Sequence, residues 1–255
     1  MIKKLISYFI SKYQEKYPKT IPIIIVSFNQ LYYLEKLLEF LWNNGYYNIV
    51  ILDNNSTYPP LLNFFKSIKQ KVKIVNLGEN LGHTAFWDNR KIFNKYRFGY
   101  YVITDPDIVP VQNCPDNFME IFLNLLKKHR NVTKVGFSLQ LDTIPETNKN
   151  REIVLKWESQ FWESKIENHF LAGIDTTFAL YRPLYKRNDL FCSGIRTSYP
   201  YQAIHGGWYI NHMDLTDEQK FYMSLVTKSS SWRINEQGDL LNKAYIEELT
   251  KMNKI

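Results

Sequence analysis

The feature that most constrains the fold of this chain is a regular alternation of short apolar runs and longer helical patterns from Ile21 to Leu139. The first run, IPIIIVSFN, is nearly all β-branched, which is typical of a strand covered on both faces. The next segment carries four leucines at the i, i+3, i+4 and i+7 positions of one helical stripe, namely Leu34, Leu37, Leu38 and Leu41. These patterns predict a buried strand followed by an amphipathic helix.

The same two patterns then repeat along the chain. The runs YNIVILD, VKIVNL, YYVIT and KVGFSL predict four further strands. Between them, PPLLNFFKSIK, TAFWDNRKIFNKY and the segment around Phe122 predict helices. Strands that alternate with helices of about ten or more residues favour an α/β fold with a mostly parallel, Rossmann-like sheet. In such sheets, ligands bind beyond the carboxyl ends of the strands.

The alternation weakens after Asp142. DTIPETNKNRE is polar and predicts a loop, and WESQFWESK is typical of an amphipathic surface turn. Further on, TTFALYR predicts a strand, and LTDEQKFYMSLVT predicts a helix that begins near Asp214 or Thr216. The second half of the chain is therefore an elaboration of the regular first half.

We predict one continuous domain, because the sequence contains no internal repeat and no interdomain linker. Its parts are an amphipathic helix in residues 1–20, a regular half in residues 21–141, and an elaborated half with a tail in residues 142–255. In the first part, lysines surround an apolar surface formed by Leu5, Ile6, Tyr8, Phe9 and Ile10. Packing of this surface on the domain is favoured, and contact with a membrane surface is the alternative. No apolar stretch approaches about 18 residues, so we expect no transmembrane helix.

The net charge and the number of cysteines limit the kinds of partner and the compartment expected for this protein. A formal net charge of +7 suits an anionic partner, such as a phosphorylated ligand, an anionic membrane or nucleic acid. The basic residues are dispersed and no recognition motif is present, so we expect no nucleic-acid partner. Cys114 and Cys192 are too few for a disulfide framework and have no zinc-site spacing, which favours a reduced, cytoplasmic protein.

Three aspartates follow predicted strands. Asp53 ends the second strand, and Asp105 and Asp107 follow the fourth in the stretch YVITDPDIVP. All three are therefore expected to face one crevice at the carboxyl ends of the strands. Two carboxylates one residue apart repel each other, and a divalent cation such as Mg²⁺ or Mn²⁺ relieves that repulsion. A plain turn is the alternative, because Asp and Pro are common turn residues.

The order of these motifs is informative as a whole. The series IPIIIVSFNQLYYLEKLLEFL, VILDNNST, NLGENLGH and YYVITDPDIVP resembles a GT-A fold glycosyltransferase, and it is most similar to family 2. The resemblance covers residues 21–139 and the remainder only in pieces. It implies that Asp105 and Asp107, as the DXD motif, hold Mn²⁺ or Mg²⁺ on the diphosphate of a nucleotide sugar, so that Asp105 also counts as a donor-binding residue.

The same resemblance implies further donor-binding residues. Asp53 corresponds to an aspartate that contacts the nucleotide, and Ser27 and Asn29 correspond to residues that line its pocket. His83 lies in a loop similar to the family's donor loop and could meet a phosphate, with a structural surface histidine as the alternative. Asparagines, beginning with Asn54, follow Asp53 at positions where members of the family often have further carboxylates.

Two later residues complete the predicted site. Asp175, in LAGIDTTFALY, resembles the family's catalytic base, which takes the proton of the acceptor hydroxyl in inverting transfer. A turn or helix-cap aspartate is the alternative, and Glu158 and Glu163 are weaker candidates for the base. His205, in YQAIHGGWYINH, precedes two glycines that permit close approach of a ligand, and we predict it to be a metal ligand or a diphosphate contact. A structural histidine is the alternative.

The predicted function is transfer of a hexose from a nucleoside-diphosphate sugar to a hydroxyl of a glycan or glycolipid, as in polysaccharide biosynthesis. Residues 21–141 would bind the nucleotide sugar and residues 142–255 the acceptor, with peripheral contact to a membrane as an additional expectation. One alternative is a nucleotidyltransferase, although SFNQLYYLEKL lacks the expected glycine and early arginine. The other alternative is a module that binds a nucleotide sugar without turning it over.

Overall fold

The computed structural model describes residues 2–185, 187–188, 191–225, 232–242 and 244–251. The strands in this part of the chain are β1 (Ile23–Ser27), β2 (Ile49–Asp53), β3 (Lys73–Asn76), β4 (Tyr101–Thr104), β5 (Ile108–Pro110), β6 (Lys134–Leu139), β7 (Lys165–Ile166), β8 (His169–Leu171), β9 (Ala179–Tyr181) and β10 (Gly194–His205). The α-helices are α1 (Ile2–Lys16), α2 (Tyr32–Asn43), α3 (Pro59–Ile68), α4 (Ala85–Asp88), α5 (Arg90–Tyr96), α6 (Phe118–Lys128), α7 (Arg151–Ser159), α8 (Asp217–Leu225) and α9 (Ala244–Lys251).

One mixed sheet runs through both halves of the chain. Its order is β3-β2-β1-β4-β9-β6-β10-β8-β7, and β5 pairs with β10 away from this path. β3, β2, β1 and β4 are parallel to one another, and β6 and β10 run in the same direction. β9 is inserted antiparallel between β4 and β6. The predicted α/β class with a largely parallel central sheet is therefore confirmed.

The central strands are covered on both faces because alternate residues of β1 enter two different cores. Ile23 and Ile25 pack in one cluster with the four leucines of α2. Ile24 and Val26 pack in a second cluster with Phe86 of α4. Successive side chains of a strand point to opposite faces, so a continuous β-branched run fits this arrangement.

The segment TAFWDNRKIFNKY forms two helices instead of the predicted single helix. Asn89 separates α4 from α5 and has an extended backbone. Its side-chain oxygen accepts a hydrogen bond from the Ile92 backbone N–H at 3.1 Å, as an N-cap does. Because an N-cap residue lies outside the helical region, Asn89 ends one helix and starts the next.

α7 and β10 are the two longest elements of the elaborated half that the sequence patterns did not predict. α7 lies where a polar loop and a surface turn were expected, and it buries Val154 and Glu158. β10 is twelve residues long and pairs with β6, β5 and β8. In both elements polar side chains point inward, so neither has a clean apolar period.

The N-terminal helix packs on the domain through polar residues. Ser7 and Gln14 are buried, whereas the apolar residues that we expected to pack on the domain are exposed. The Gln14 side chain exchanges two hydrogen bonds with the Tyr100 backbone, at 2.9 and 2.7 Å. Among the described residues, every helix is too short or too polar to span a bilayer.

The tight contact between β6 and β9 gives a testable prediction. A Cβ added at Gly136 would lie 2.3 Å from the Phe178 carbonyl oxygen and 2.9 Å from the Ala179 Cβ. Gly136→Ala is therefore expected to lower the free energy of unfolding by about 1–3 kcal/mol through overpacking. The matched control is Gly173→Ala, whose new Cβ would come no closer than 3.5 Å to another atom. Urea denaturation measures both, and equal stability of the two variants would contradict the packing argument.

Candidate active site

The carboxyl ends of three parallel strands meet at one edge of the sheet. Ser27 at the end of β1 pairs with Asp53 at the end of β2, and Ile25 pairs with Thr104 at the end of β4. A cavity of about 950 Å³ lies at this edge. The predicted site residues that line it are His83, Asp105, Asp107, Asp175 and His205.

Asp105, Pro106 and Asp107 form the DXD motif of this chain, called the DPD motif from here on, and its two carboxylates are held by groups far along the chain. Asp105 directly follows β4, and its Oδ2 accepts a hydrogen bond from the Thr176 hydroxyl at 2.9 Å. Asp107 directly precedes β5, and its Oδ2 accepts one from the Gly207 N–H at 3.0 Å. Within the described part of the chain, the Oδ1 atom of each carboxylate accepts no hydrogen bond. Each aspartate thus has one oxygen fixed by the protein and one available to a ligand.

Strand pairing brings His205 to the DPD motif. β5 and β10 pair antiparallel so that His205 lies opposite Ile108, the residue after Asp107. The His205 Nδ1 is 3.6 Å from the Asp107 Oδ2. The chain then turns tightly at Gly206, where a Cβ would lie 2.3 Å from the Tyr33 ring. Gly206 is therefore required by the close approach of the Tyr33 ring.

The hydrogen bonds of His205 indicate its tautomer. Its Nδ1 accepts a hydrogen bond from the Gly207 N–H at 3.2 Å, and its ring stacks on Trp208 with a centroid distance of 4.7 Å. A nitrogen that accepts a hydrogen bond carries no proton, so the neutral ring carries its proton on Nε2. His205 is therefore arranged to donate a hydrogen bond through Nε2.

Asp175 is exposed, and buried basic side chains hold its backbone segment. The Lys134 Nζ donates hydrogen bonds to the Asp175 carbonyl oxygen at 2.6 Å and to the Tyr181 hydroxyl at 2.7 Å. The Arg196 Nε donates to the Gly173 carbonyl oxygen at 2.8 Å. Lys134 and Arg196 are both buried, so the backbone that carries Asp175 is fixed while its carboxylate faces the cavity.

Burial and charge shift two pKa values at the site. Burial raises the pKa of the Asp105 carboxyl well above its ordinary value, and the charges of Asp107 and Asp175 raise it further. The hydrogen bond from Thr176 acts in the opposite direction. Burial lowers the pKa of the Lys134 ammonium from 10.5 to about 7. A cation near the DPD motif would relieve the accumulated negative charge.

Three predicted donor-binding residues are buried and do not line the cavity. Asp53 accepts hydrogen bonds from the Ser56 N–H and the Asn76 side chain, both at 3.0 Å. The Asn29 side-chain oxygen accepts hydrogen bonds from two backbone N–H groups of the loop after β2, at 2.7 and 2.9 Å. The Ser27 hydroxyl and the Asn29 side-chain nitrogen have no hydrogen-bond partner among the described residues. Donor contact by Ser27, Asn29 and Asp53 stays a prediction.

The loop after β2 reaches the cavity through Asn54, the residue that follows the buried Asp53. Asn54 lines the cavity, accepts a hydrogen bond from the Leu81 N–H at 3.2 Å and donates one to the Gly82 carbonyl oxygen at 3.1 Å. These bonds tie the loop after β2 to the loop that carries the exposed His83. The signal in the sequence was the unusual asparagine directly after Asp53.

The weaker candidates for the base have other environments. Glu158 is buried and forms an ion pair with Arg196, with 2.6 Å between its Oε2 and the Arg196 Nη1. Glu163 is exposed and is not among the residues that line the cavity. The isolated arginine in the run GIRTSYPYQAI was the sequence signal for this buried pair.

Aromatic side chains contribute to the wall of the cavity. Trp232 and Tyr245 stack with a centroid distance of 4.7 Å, and Trp157 lies 4.4 Å from Tyr245. Phe161 completes this aromatic wall beneath the Arg196 guanidinium. All four residues belong to the elaborated half, and by composition alone they would be expected in the core.

Asp105 and Asp107 are the candidate ligands for a metal ion in the cavity. Among the described residues, no group of three or more His, Cys, Asp or Glu side chains is arranged to hold a metal ion. Asp105 and Asp107 nevertheless offer two hard oxygen atoms, which Mg²⁺ and Mn²⁺ prefer. Mg²⁺ commonly takes only one or two carboxylates from a protein and the rest of its ligands from phosphate and water. The two aspartates therefore fit a metal that is bound together with a phosphorylated ligand.

The shifted pKa of Lys134 gives a prediction about stability. Lys134 titrates near pH 7 in the folded protein and near 10.5 in the unfolded chain. The unfolded chain therefore binds more protons between these values, so this group makes stability rise with pH by up to about 1.4 kcal/mol per pH unit. Lys134→Met should lose that slope.

Urea denaturation at about pH 7 and about pH 9 measures the slope. Lys156→Met is the matched control, because Lys156 is exposed on α7 and should leave the slope unchanged. Parallel pH curves for wild type and Lys134→Met would contradict a lowered pKa of Lys134.

Sequence comparisons assign no family to the chain. No protein-family profile matches it, and no curated protein matches it significantly.

Comparison with solved structures gives distant similarities. One is the mannosyltransferase PcManGT from Pyrobaculum calidifontis in complex with GDP-Man and Mn²⁺, with 13% identity and a TM-score of 0.45 over 80% of this chain and 60% of that chain. A second is S. aureus TarS 1-349, with 11% identity and a TM-score of 0.44 over 85% of this chain and 71% of that chain. A third is a cytidylyltransferase from Leptospira borgpetersenii, with 12% identity and a TM-score of 0.35 over 92% of this chain and 95% of that chain. At these values the similarities do not assign an activity.

Proposed function

We propose that this chain is a GT-A type glycosyltransferase, most similar to family 2, that transfers a hexose from a nucleoside-diphosphate sugar to a hydroxyl acceptor. The observation that carries this proposal is the convergence of Asp105, Asp107 and Asp175 on one cavity at the carboxyl ends of parallel strands. Two adjacent carboxylates suit a metal on a diphosphate, and a separate exposed carboxylate suits a base. The reaction requires both functions in one cavity.

The donor side of the cavity is assigned to residues 21–141. Asn54 and His83 lie on the two loops that hydrogen-bond to each other at the cavity wall. Asp105 and Asp107 would hold Mn²⁺ or Mg²⁺ against the donor diphosphate. When bound, such a metal offsets the negative charge that builds on the departing diphosphate.

His205 is assigned to the diphosphate in preference to the metal. Its Nδ1 is engaged by the Gly207 N–H, which leaves a protonated Nε2 as the free group of the neutral ring. A protonated ring nitrogen donates a hydrogen bond to a phosphate oxygen but cannot ligate a metal. The stack on Trp208 fixes the plane of the ring.

Asp175 is assigned as the base of an inverting transfer. Its carboxylate accepts the proton of the acceptor hydroxyl while that oxygen attacks the sugar carbon opposite the leaving diphosphate. Lys134 and Arg196 fix the backbone on both sides of this residue. That support limits the motion of the carboxylate, and correct positioning is a major part of catalysis.

The acceptor side is assigned to residues 142–255. The aromatic wall of Trp157, Phe161, Trp232 and Tyr245 offers flat apolar faces on which sugar rings can pack. An acceptor that is a glycan or a glycolipid suits this wall, in the setting of polysaccharide or glycolipid biosynthesis.

Donor binding is tested by thermal shift with UDP, GDP, CDP and dTDP sugars, each with and without Mn²⁺. One nucleotide sugar is expected to stabilise the wild type by about 2.7 kcal/mol at a concentration of about 100 Kd, with Mn²⁺ required. Asp107→Asn should lose this shift, because the amide keeps an oxygen for the Gly207 N–H but not the charge that holds the metal. Asp214→Asn is the matched control, since Asp214 is exposed and outside the cavity lining. Shifts that survive in Asp107→Asn would rule out the metal role.

A turnover assay with the nucleotide sugar that binds distinguishes an enzyme from a module that only binds the donor. Asp175→Asn is expected to lower kcat by about 10²–10⁴-fold, because the amide cannot accept the proton, while donor affinity stays unchanged. Asp214→Asn again serves as control. Release of nucleoside diphosphate, followed with a panel of glycan acceptors, is the measurement. Wild-type turnover by Asp175→Asn would refute its role as base, and donor binding with no turnover by wild type would favour the non-catalytic module.

A further inference from the structure

α1 presents its apolar side away from the protein. Five apolar residues follow the i, i+3, i+4, i+7 and i+11 spacing of one helical stripe. They are Ile2, Leu5, Ile6, Phe9 and Tyr13, and they are exposed by 73, 56, 45, 62 and 58%. We call these five residues the outer stripe. An amphipathic helix of a globular protein normally turns such a stripe toward the core, so the orientation of α1 about its own axis is the reverse of the usual one.

Specific polar contacts fix this inverted orientation. The buried face of α1 carries Ser7 and Gln14, and Gln14 exchanges two hydrogen bonds with the Tyr100 backbone. Glu15 adds ion pairs of 3.0 Å to Lys12 and to Lys127 of α6. Rotation of the helix to bury the outer stripe would break all of these contacts except the Lys12–Glu15 pair, which is internal to α1. The stripe is thus held outward by the fold.

The charge around the outer stripe is positive. α1 contains four lysines, namely Lys3, Lys4, Lys12 and Lys16, and its one acidic residue is the ion-paired Glu15. A helix with an apolar stripe flanked by lysines binds in the plane of an anionic membrane surface. Each lysine near such a surface adds attraction that salt screens.

We infer that the outer stripe docks on the surface of a bilayer that contains anionic phospholipids. At fifteen residues, α1 is about 22 Å long, shorter than the roughly 30 Å hydrocarbon core, so it would lie on the membrane and not cross it. A second copy of the chain is a less suitable occupant, because it would bring two lysine-rich surfaces together in a protein of net charge +7.

The docking surface and the cavity lie at opposite ends of the sheet. Gln14 contacts Tyr100 directly before β4, whereas Asp105 follows β4 directly. Four residues of strand, about 13 Å, separate the two ends. A membrane bound along α1 therefore leaves the cavity accessible to ligands from water. The inference does not rest on the proposed transferase activity.

The test is co-sedimentation of the full chain with vesicles. Wild type is expected to bind vesicles of phosphatidylcholine with phosphatidylglycerol at least about tenfold more tightly than vesicles of phosphatidylcholine alone, and added salt should reduce the difference. The double variant Leu5→Gln/Phe9→Gln should bind the anionic vesicles about tenfold or more weakly, because two exposed apolar side chains are lost. Gln keeps a high helix propensity, so α1 should stay folded.

A control variant and a second test variant accompany Leu5→Gln/Phe9→Gln. Tyr47→Gln/Met213→Gln removes two apolar side chains outside α1 that are more exposed than Leu5 and Phe9, and it should bind like wild type. Lys3→Gln/Lys4→Gln should weaken binding to anionic vesicles and leave binding to neutral vesicles unchanged.

Several outcomes would overturn the inference. The vesicle outcomes are an absence of binding by wild type, equal binding of wild type to both kinds of vesicle, and binding by Leu5→Gln/Phe9→Gln as tight as that of wild type. A further outcome is that wild type forms a dimer in analytical ultracentrifugation and Leu5→Gln/Phe9→Gln does not. The last outcome would assign the outer stripe to a second copy. The nucleotide-sugar thermal shift on the same variants should be unchanged, so failure of membrane docking and failure of the transferase proposal are distinguishable.

Discussion

The pairing of β10 with three other strands is the interaction on which the rest of the site depends. β10 extends the parallel sheet at β6, and near its carboxyl end it also pairs antiparallel with β5. That second pairing sets His205 beside Asp107, although about a hundred residues separate them in the chain. The turn after β10 supplies the backbone N–H that binds the Asp107 carboxylate. Without this pairing, β5 would lose its strand partner and Asp107 would lose the hydrogen bond from the Gly207 N–H.

The cavity concentrates negative charge in a protein that is positively charged overall. Asp105, Asp107 and Asp175 line it, and the buried side chains of Lys134 and Arg196 bind backbone carbonyl oxygens of the Gly173–Asp175 segment. Lys134 and Arg196 therefore support the shape of the site through hydrogen bonds, and among the described residues no Lys or Arg forms an ion pair with the three aspartates. This arrangement suits a ligand that brings its own cation.

The two candidate binding surfaces of the protein are separate. The cavity lies beyond the carboxyl ends of the central strands, and the outer stripe of α1 lies near their amino ends. A parallel sheet separates these two ends by the length of its strands. Attachment through one surface thus need not obstruct the other, which would allow a protein held at a membrane to bind soluble ligands.

Much of the fold followed from the sequence, because burial patterns are local. The run before Asn29 and the leucines of α2 predicted a strand and a helix, and the structure contains both. Asp105 and Asp107 follow β4 and line the cavity, whereas Asp53, which was expected beside them, does not. Apolar periodicity predicts which residues share one face of a helix or strand, but it does not predict what covers that face. Only the tertiary structure decided that α1 turns polar residues inward, that Asp53 is buried, and that β10 reaches the DPD motif. Those features depend on hydrogen bonds between distant segments, which no local pattern encodes.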